Sequence, residues 1–166
     1  MKAKYWFTGL LFLALTSSAF WLAFTKTNRF APDVSFTSIT GKKIDLKDLR
    51  GKSVLVTFWA TDCPGCIKEI PHLIDLYKQF HDGGLEMIAV SMYYDPPNHV
   101  VDMTNALQLP YHVALDLKAG LSQAFGDVKL TPSTFLIAPN GKIALQKTGS
   151  FDFAKMKTLI EYLQKG

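Results

Sequence analysis

Apolar and polar positions along this chain follow two different periods, which separate predicted strands from predicted helices. Two nearly uninterrupted apolar runs, Val54–Ala60 and Leu85–Ser91, have the length of strands that are covered on both faces of a parallel or mixed sheet. Between them, apolar residues recur every three or four positions over Pro64–Phe80, which predicts an amphipathic helix. Pro71 lies inside this helix, removes one backbone donor and is expected to kink it.

Shorter segments complete the predicted order of elements. Pro139-Asn140-Gly141 lies between two apolar runs and is a strong hairpin signal. The further predicted elements are a hairpin of Phe36–Ile39 with Ile44–Leu46, a helix from an Asn98 cap to Leu107, a strand at Tyr111–Leu115, a short helix at Ala119–Phe125, a hairpin of Phe135–Ala138 with Ile143–Gln146, and a final helix at Phe153–Leu163. This order predicts an α/β fold around a central sheet.

The first thirty residues differ from the rest of the chain. Lys2 and Lys4 precede Tyr5–Phe24, an uncharged stretch of twenty residues that would span about 30 Å as a helix, the thickness of a bilayer core. A cleaved signal peptide, with small residues at Ser17–Ala19, is one alternative, and a buried core helix is another. We favour an uncleaved transmembrane anchor, because the apolar run continues to Phe24. Residues 1–30 are then the anchor with its tether, which runs from Thr25 to about Ala31. Residues 31–166 form a domain outside the cytoplasm.

Length, composition and charge narrow the class of the folded part. A chain of 166 residues suits one domain, and an aromatic content of 13% excludes a disordered chain. The net charge is +4, but four of the 18 basic residues lie in the first thirty residues, which contain no acidic residue. The remaining residues therefore carry 14 basic and 14 acidic side chains, without a basic cluster, so we expect no nucleic-acid partner.

The two cysteines of the chain, Cys63 and Cys66, lie at the junction of the first apolar strand and the first long helix. Cys63 would stand at the start of the helix, where free backbone N–H groups and the helix dipole stabilise a thiolate and lower the thiol pKa. Cys66 lies one turn later and should be more buried and react second. A structural disulfide and half of a zinc site are the alternatives. A zinc site needs about four ligands. The four histidines, at positions 72, 81, 99 and 112, are scattered, so we predict a redox-active pair without a metal.

The segment Phe58–Cys66, together with Thr131–Ile137 downstream, resembles the thioredoxin fold. More narrowly, it resembles the membrane-anchored TlpA/ResA/CcmG-like thiol-disulfide oxidoreductases, over residues 31–166. The resemblance implies a central mixed sheet flanked by helices, with an N-terminal hairpin and an inserted strand–helix unit at Asn98–Leu115. It also implies that Pro132 is a cis-proline facing the cysteines, and that the backbone of Thr131 binds an extended substrate peptide.

Glu69 completes the family's Cys-x-x-Cys-x-x-Glu-x-Pro pattern. The resemblance implies that its carboxylate tunes a thiol pKa or transfers protons, whereas a solvated helix glutamate is the alternative. The sequence also departs from the family. Asp62 stands before the first cysteine, where these proteins commonly carry tryptophan, and a carboxylate there disfavours the thiolate. Thr57 stands where cytoplasmic thioredoxins carry a buried acid, so their proton transfer does not carry over to this chain, and a β-branched strand residue is the plain interpretation of Thr57.

The resemblance implies a reductase of exported proteins, such as apocytochrome c or copper-site assembly factors. Its domain would lie on the periplasmic or extracytoplasmic side of the bacterial cytoplasmic membrane. We expect a single-pass monomer that is re-reduced by a membrane electron-donor protein and needs neither an organic cofactor nor a metal. An oxidising or isomerising enzyme, a peroxiredoxin-like peroxidase and a copper carrier of the same fold are the alternatives. The peroxidases place a proline before the threonine that corresponds to Thr61, and this chain has none there.

Overall fold

The computed structural model describes residues 29–165. The strands are β1 (Ser35–Thr37), β2 (Lys43–Asp45), β3 (Ser53–Trp59), β4 (Leu85–Ser91), β5 (His112–Leu115), β6 (Ser133–Ile137) and β7 (Ile143–Thr148). The α-helices are α1 (Pro64–Phe80), α2 (Pro97–Ala106), α3 (Gly120–Ala124) and α4 (Phe153–Lys165), and a 3₁₀ helix follows β2 at Leu46–Leu49. The predicted order of elements is therefore confirmed over the described residues.

A five-stranded mixed sheet forms the centre of the domain, in the order β5-β4-β3-β6-β7. The strands β3, β4 and β5 run parallel, while β6 and β7 are antiparallel to their neighbours. β1 and β2 form the separate N-terminal hairpin that the sequence predicted. The central strand β3 is buried along its whole length, as its uninterrupted apolar run indicated. The C-terminal end of β3, which leads into the segment with the two cysteines, thus has a neighbouring strand on each side.

The N-cap of α2 differs from the sequence-based expectation. Asn98 does not cap α2, because the N-cap lies two residues earlier, at Pro96, and the helix begins at Pro97. Proline has a backbone φ that suits the first helical position, where its missing N–H costs no hydrogen bond. The helix α1 continues through Pro71 from Pro64 to Phe80 as one helix.

The two faces of the central sheet pack against different clusters. On one face, α1 and α4 cover an apolar cluster that includes Leu55, Trp59, Cys66 and Ile160. On the other face, the largest buried side chains are aromatic and belong to Phe36, Phe58, Phe125 and Phe135. Side chains of β3 alternate between the two clusters because successive strand residues point to opposite faces.

The described part of the chain begins with residues that we expected to belong to the tether. Instead, they join the sheet edge: Ala31 N–H donates to the Gly141 carbonyl at 2.9 Å, and Ile143 N–H donates to the Arg29 carbonyl at 2.8 Å. The ordered domain therefore includes Arg29–Ala31. The predicted membrane anchor at Tyr5–Phe24 lies outside the described residues, and none of the helices within 29–165 has the length and apolar content to cross a membrane.

Candidate active site

The cysteine pair lies at the C-terminal end of β3, where the chain turns into α1. The turn is closed by the Cys63 N–H, which donates to the Ala60 carbonyl at 3.2 Å. Cys63 has an extended backbone and is the N-cap of α1, and its Sγ accepts a hydrogen bond from the Cys66 N–H at 3.2 Å. Pro64 occupies the first helical position. The chain therefore places one sulfur at the positive end of the α1 dipole.

Cys63 and Cys66 form a disulfide, with their Cα atoms 5.3 Å apart. Cys63 is half-buried, whereas Cys66 is only 3% exposed. The prediction that Cys66 is the more buried cysteine is confirmed. Cys63 is therefore the more accessible residue of the pair.

The loop before β6 lies against the cysteine turn. The Thr131–Pro132 peptide bond is cis, as the resemblance implied. A Cβ added to Gly65 would lie 3.5 Å from the Pro132 Cδ, so the proline ring lies beside the Cys-Pro-Gly-Cys turn. The Pro132 carbonyl accepts a hydrogen bond from the Gly149 N–H at 2.8 Å, which fixes this loop to the end of β7.

Glu69 lies on α1 and is buried, with only 3% of its surface exposed. It faces a cavity of about 10 Å³, enough for about one water molecule. The residues that line this cavity include Thr57, Trp59, Cys66, Glu69, Tyr111 and Pro132. The alternative of a solvated helix glutamate is therefore wrong, and the structure brings Glu69 to the same cavity as the buried sulfur.

Several polar groups around this cavity lack partners. Among residues 29–165, neither Glu69 carboxylate oxygen has a hydrogen-bond partner, and the same holds for the Trp59 indole N–H. Burial raises the pKa of Glu69, and the nearby Ser150 side chain, Phe151 backbone and His72 oppose the shift only in part. Burial also raises the pKa of Tyr111. The cavity is consequently an environment that disfavours the charged form of the Glu69 carboxyl and raises its pKa.

Thr57 and Asp62, the two departures from the family pattern, lie in different environments. Thr57 is buried, lines the cavity, and has its hydroxyl 3.0 Å from the Thr134 hydroxyl on β6. At the position where cytoplasmic thioredoxins carry a buried acid, this chain therefore has a neutral hydroxyl with a hydrogen-bond partner. Asp62 is exposed beside Cys63, where solvent screens its charge.

Sequence reasoning missed three residues of this region. The position of Trp59 beside the cavity follows from strand alternation, which was available in the sequence. Tyr111 and Asp95 carried no comparable signal, because their approach to the site depends on how the strands are ordered. The Asp95 carboxylate accepts hydrogen bonds from Thr61, 34 residues away along the chain.

A disulfide at the start of a helix, placed after a central strand and beside a cis-proline loop, is the arrangement of a thioredoxin-fold thiol-disulfide oxidoreductase. The sequence profile of the Redoxin family matches residues 26–160. The chain belongs to this family.

Relatives and solved structures agree with this assignment. The chain is 34% identical over 135 residues to the thiol-disulfide oxidoreductase ResA of Bacillus thuringiensis subsp. konkukian, covering 81% of this chain and 75% of the relative. It is 32% identical over 136 residues to ResA of Bacillus subtilis, covering 82% and 75%. A putative thioredoxin from Neisseria meningitidis has a TM-score of 0.77 at 31% identity, with 82% of this chain and 90% of that chain covered. A putative thiol:disulfide interchange protein DsbE from Chlorobium tepidum has a TM-score of 0.75 at 27% identity, covering 82% and 96%. The protein is therefore a thiol-disulfide oxidoreductase.

Proposed function

We propose that this protein reduces disulfides in exported proteins, with Cys63 as the attacking thiol and Cys66 as the resolving thiol. In the reduced enzyme, the Cys63 thiolate attacks one sulfur of a substrate disulfide and releases the other as a thiolate. The Cys66 thiolate then attacks the Cys63 sulfur, which frees the second substrate thiolate. The substrate gains two electrons, and the enzyme is left with the Cys63–Cys66 disulfide.

One observation carries this assignment of roles: the Cys63 sulfur caps α1, while the Cys66 sulfur is buried behind it. The Cys66 N–H donates to the Cys63 Sγ at 3.2 Å, and a hydrogen bond of this kind is stronger when the acceptor is a thiolate. Cys63 is the more exposed of the pair, so it is the sulfur that a substrate can reach. Cys66 needs to reach only its neighbour.

The loop at Thr131 and Pro132 supports a role in substrate binding. Pro132 is buried against the cysteine turn, and Thr131 is half-buried beside it, at the start of the hairpin formed by β6 and β7. Backbone groups beside an active-site sulfur can pair with an extended peptide as an added strand does. Such pairing would align the substrate disulfide with Cys63 without requiring a particular sequence.

Glu69 is the proposed proton carrier for Cys66. Resolution requires the buried Cys66 thiol to lose a proton, and the neighbouring cavity has room for about one water molecule to transfer it. Because burial raises the pKa of Glu69, its carboxyl group can bind and release a proton closer to neutral pH than an exposed glutamate. No metal or organic cofactor takes part in this cycle.

The proposed location follows from the sequence of the first thirty residues. The uncharged stretch Tyr5–Phe24 would anchor the protein in the bacterial cytoplasmic membrane as a single span, with Lys2 and Lys4 on the cytoplasmic side. The domain would then act as a monomer on the periplasmic or extracytoplasmic side. A membrane protein would supply the electrons for re-reduction. Apocytochrome c and copper-site assembly factors are the substrate classes that the family resemblance suggests.

Trapping of mixed disulfides tests this proposal. In the Cys66→Ala variant of the full-length protein, the first step can occur but resolution cannot. We expect adducts with exported proteins that a thiol reductant releases. The matched control is the Cys63→Ala/Cys66→Ala variant, which should form none. If Cys66→Ala yields no adduct beyond this control, the protein does not act on protein disulfides.

A further inference from the structure

Asp95 is a buried carboxylate that lies close to the cysteine turn but outside the cavity of Glu69. It follows β4 and is only 5% exposed. Its two oxygens bind the two donors of one residue: Oδ2 accepts from the Thr61 N–H at 2.7 Å, and Oδ1 accepts from the Thr61 hydroxyl at 2.6 Å. Charge-assisted hydrogen bonds of this length are among the stronger ones in proteins.

The carboxylate is itself held in place by the backbone of the sheet. The Met92 N–H donates to the Trp59 carbonyl at 3.0 Å, which extends the pairing of β3 and β4 by one step. The Asp95 N–H then donates to the Met92 carbonyl at 3.0 Å. Asp95 therefore stands at a fixed position relative to the end of β3, which is where the cysteine turn begins.

Thr61 is the second residue of the four-residue turn that ends at Cys63. The hydrogen bond from the Cys63 N–H to the Ala60 carbonyl closes this turn, at 3.2 Å. Thr61 therefore links the turn to Asp95, two residues before the attacking sulfur. A displacement of about 1 Å in a reacting group can cost about 100-fold in rate. The orientation of this turn consequently matters for exchange at Cys63.

We propose that Asp95 is a positioning residue of the oxidoreductase, acting through Thr61. By binding both donors of Thr61, it holds the turn from Ala60 to Cys63 so that the Cys63 sulfur stays at the start of α1. Asp95 touches neither sulfur, so it is not a catalytic residue. The inference rests on the proposed role of Cys63 and deepens it.

A purely structural role for Asp95 is the competing interpretation, and the chain offers a matched control for it. Asp116 is also a buried aspartate, 4% exposed, that follows a strand of the same sheet. Its carboxylate accepts hydrogen bonds from the Leu121 N–H at 2.9 Å and the Ser122 N–H at 2.8 Å. It binds α3 rather than the cysteine turn. Loss of the hydrogen bonds of either aspartate should lower the stability of the protein. Only loss of the hydrogen bonds of Asp95 should change the pH profile of Cys63 alkylation.

The experiment compares Thr61→Val with Thr61→Ser in the reduced full-length protein. Valine removes the hydroxyl donor and keeps the charge of Asp95, whereas serine retains the donor. The measurement is the rate of Cys63 alkylation by iodoacetamide as a function of pH, with denaturant unfolding in parallel. We expect Thr61→Val to move the midpoint of the pH profile upward and to slow alkylation at neutral pH by about threefold or more. Thr61→Ser should remain close to the wild type.

Two further variants separate positioning from stability. On the Thr61→Val background, Asp95→Asn should change the alkylation rate by less than it does in the wild type, because one of the two hydrogen bonds between the residues is already lost. Asp116→Asn should leave the Cys63 profile unchanged, even where it lowers the unfolding midpoint. Equal profiles for Thr61→Val and Thr61→Ser would overturn the inference, as would a shift of the Cys63 profile in Asp116→Asn. If those results accompany successful trapping by Cys66→Ala, the inference fails and the proposed function stands.

Discussion

The two faces of strand β3 bury different kinds of side chain. Val54, Val56 and Phe58 point toward the aromatic cluster, where Phe58 packs edge-on against Phe125 and Phe135 with ring centroids 5.4 and 6.0 Å apart. The intervening residues of β3 point toward α1 and the active-site cavity. On that face, the structure buries the Glu69 carboxylate and the Trp59 indole N–H. Neither group has a hydrogen-bond partner within residues 29–165.

The difference indicates a division of labour between the two faces. Each buried polar group without a partner costs about 1–3 kcal/mol of stability, whereas buried aromatic rings stabilise a fold through apolar burial and edge-on contacts. The active-site face therefore carries a stability cost that comes with its chemistry. The aromatic face supports the strand that positions the site.

The largest expected effect concerns the aromatic face. Phe58→Ala removes a ring that is fully buried among three others, and substitutions of this kind cost about 3–5 kcal/mol. The free energy of unfolding in denaturant should fall by this amount, while the reduction potential of the folded protein stays unchanged. Phe58→Leu keeps most of the apolar volume and should lose less. A changed potential in folded Phe58→Leu would show that the two faces are not separable.

The second effect concerns Glu69 and is smaller. Burial raises the pKa of Glu69 in the folded protein above its unfolded value, so the protonated form favours folding. This contribution is fully present below the unfolded pKa of about 4.3 and is lost as the pH rises through the raised folded value. Glu69→Gln has no such loss, so its stability relative to wild type should increase from pH 4 to pH 8.

Denaturant unfolding across this pH range measures the Glu69 effect. The control is Glu161→Gln, which removes an exposed glutamate of α4. Its stability should run parallel to that of the wild type over the same pH values. Parallel curves for Glu69→Gln as well would contradict the assignment of a destabilising carboxylate to the active-site face.

The smallest predicted effect concerns the exposed Asp62. Its negative charge lies next to Cys63 in sequence and opposes the thiolate that the α1 dipole stabilises. Asp62→Asn keeps the size and removes the charge, so it should lower the Cys63 pKa and make the protein more oxidising. A tenfold change in thiolate stability corresponds to about 30 mV in this two-electron couple. Because solvent screens the charge of Asp62, we expect the shift in reduction potential to be no larger than this. An unchanged reduction potential in a redox titration would contradict an effect of Asp62 on the Cys63 thiolate, and partner selection would then be the remaining role for Asp62.

The strands and the cysteine turn could be predicted from the sequence because their signals are local. The uninterrupted apolar run of β3 and the change of period at Pro64 place Cys63 at a strand–helix junction without knowledge of the fold. The start of α2 was predicted two residues too late, because a side-chain cap at Asn98 was given more weight than the preferred place of proline at the first helical position.

The burial of Glu69 and the contacts of Asp95 depend on parts of the chain that are distant in sequence. The surroundings of Glu69 include Ser150 and Phe151, about eighty residues further along the chain. Asp95 reaches Thr61 only because β4 lies parallel to β3, so that the two strands end at the same edge of the sheet. Periodicity shows which face of a helix is apolar, but it does not show which loop will cover a polar position.

The most direct test of the central claim is the identification of the cysteine that reacts first. Reduced protein is treated with limiting iodoacetamide over a range of pH, and the labelled peptides are mapped. The account predicts that Cys63 is alkylated first, with a midpoint below the ordinary thiol pKa of about 8.5, while Cys66 remains unlabelled until the protein unfolds. Preferential labelling of Cys66 would reverse the roles of the two sulfurs and contradict the account.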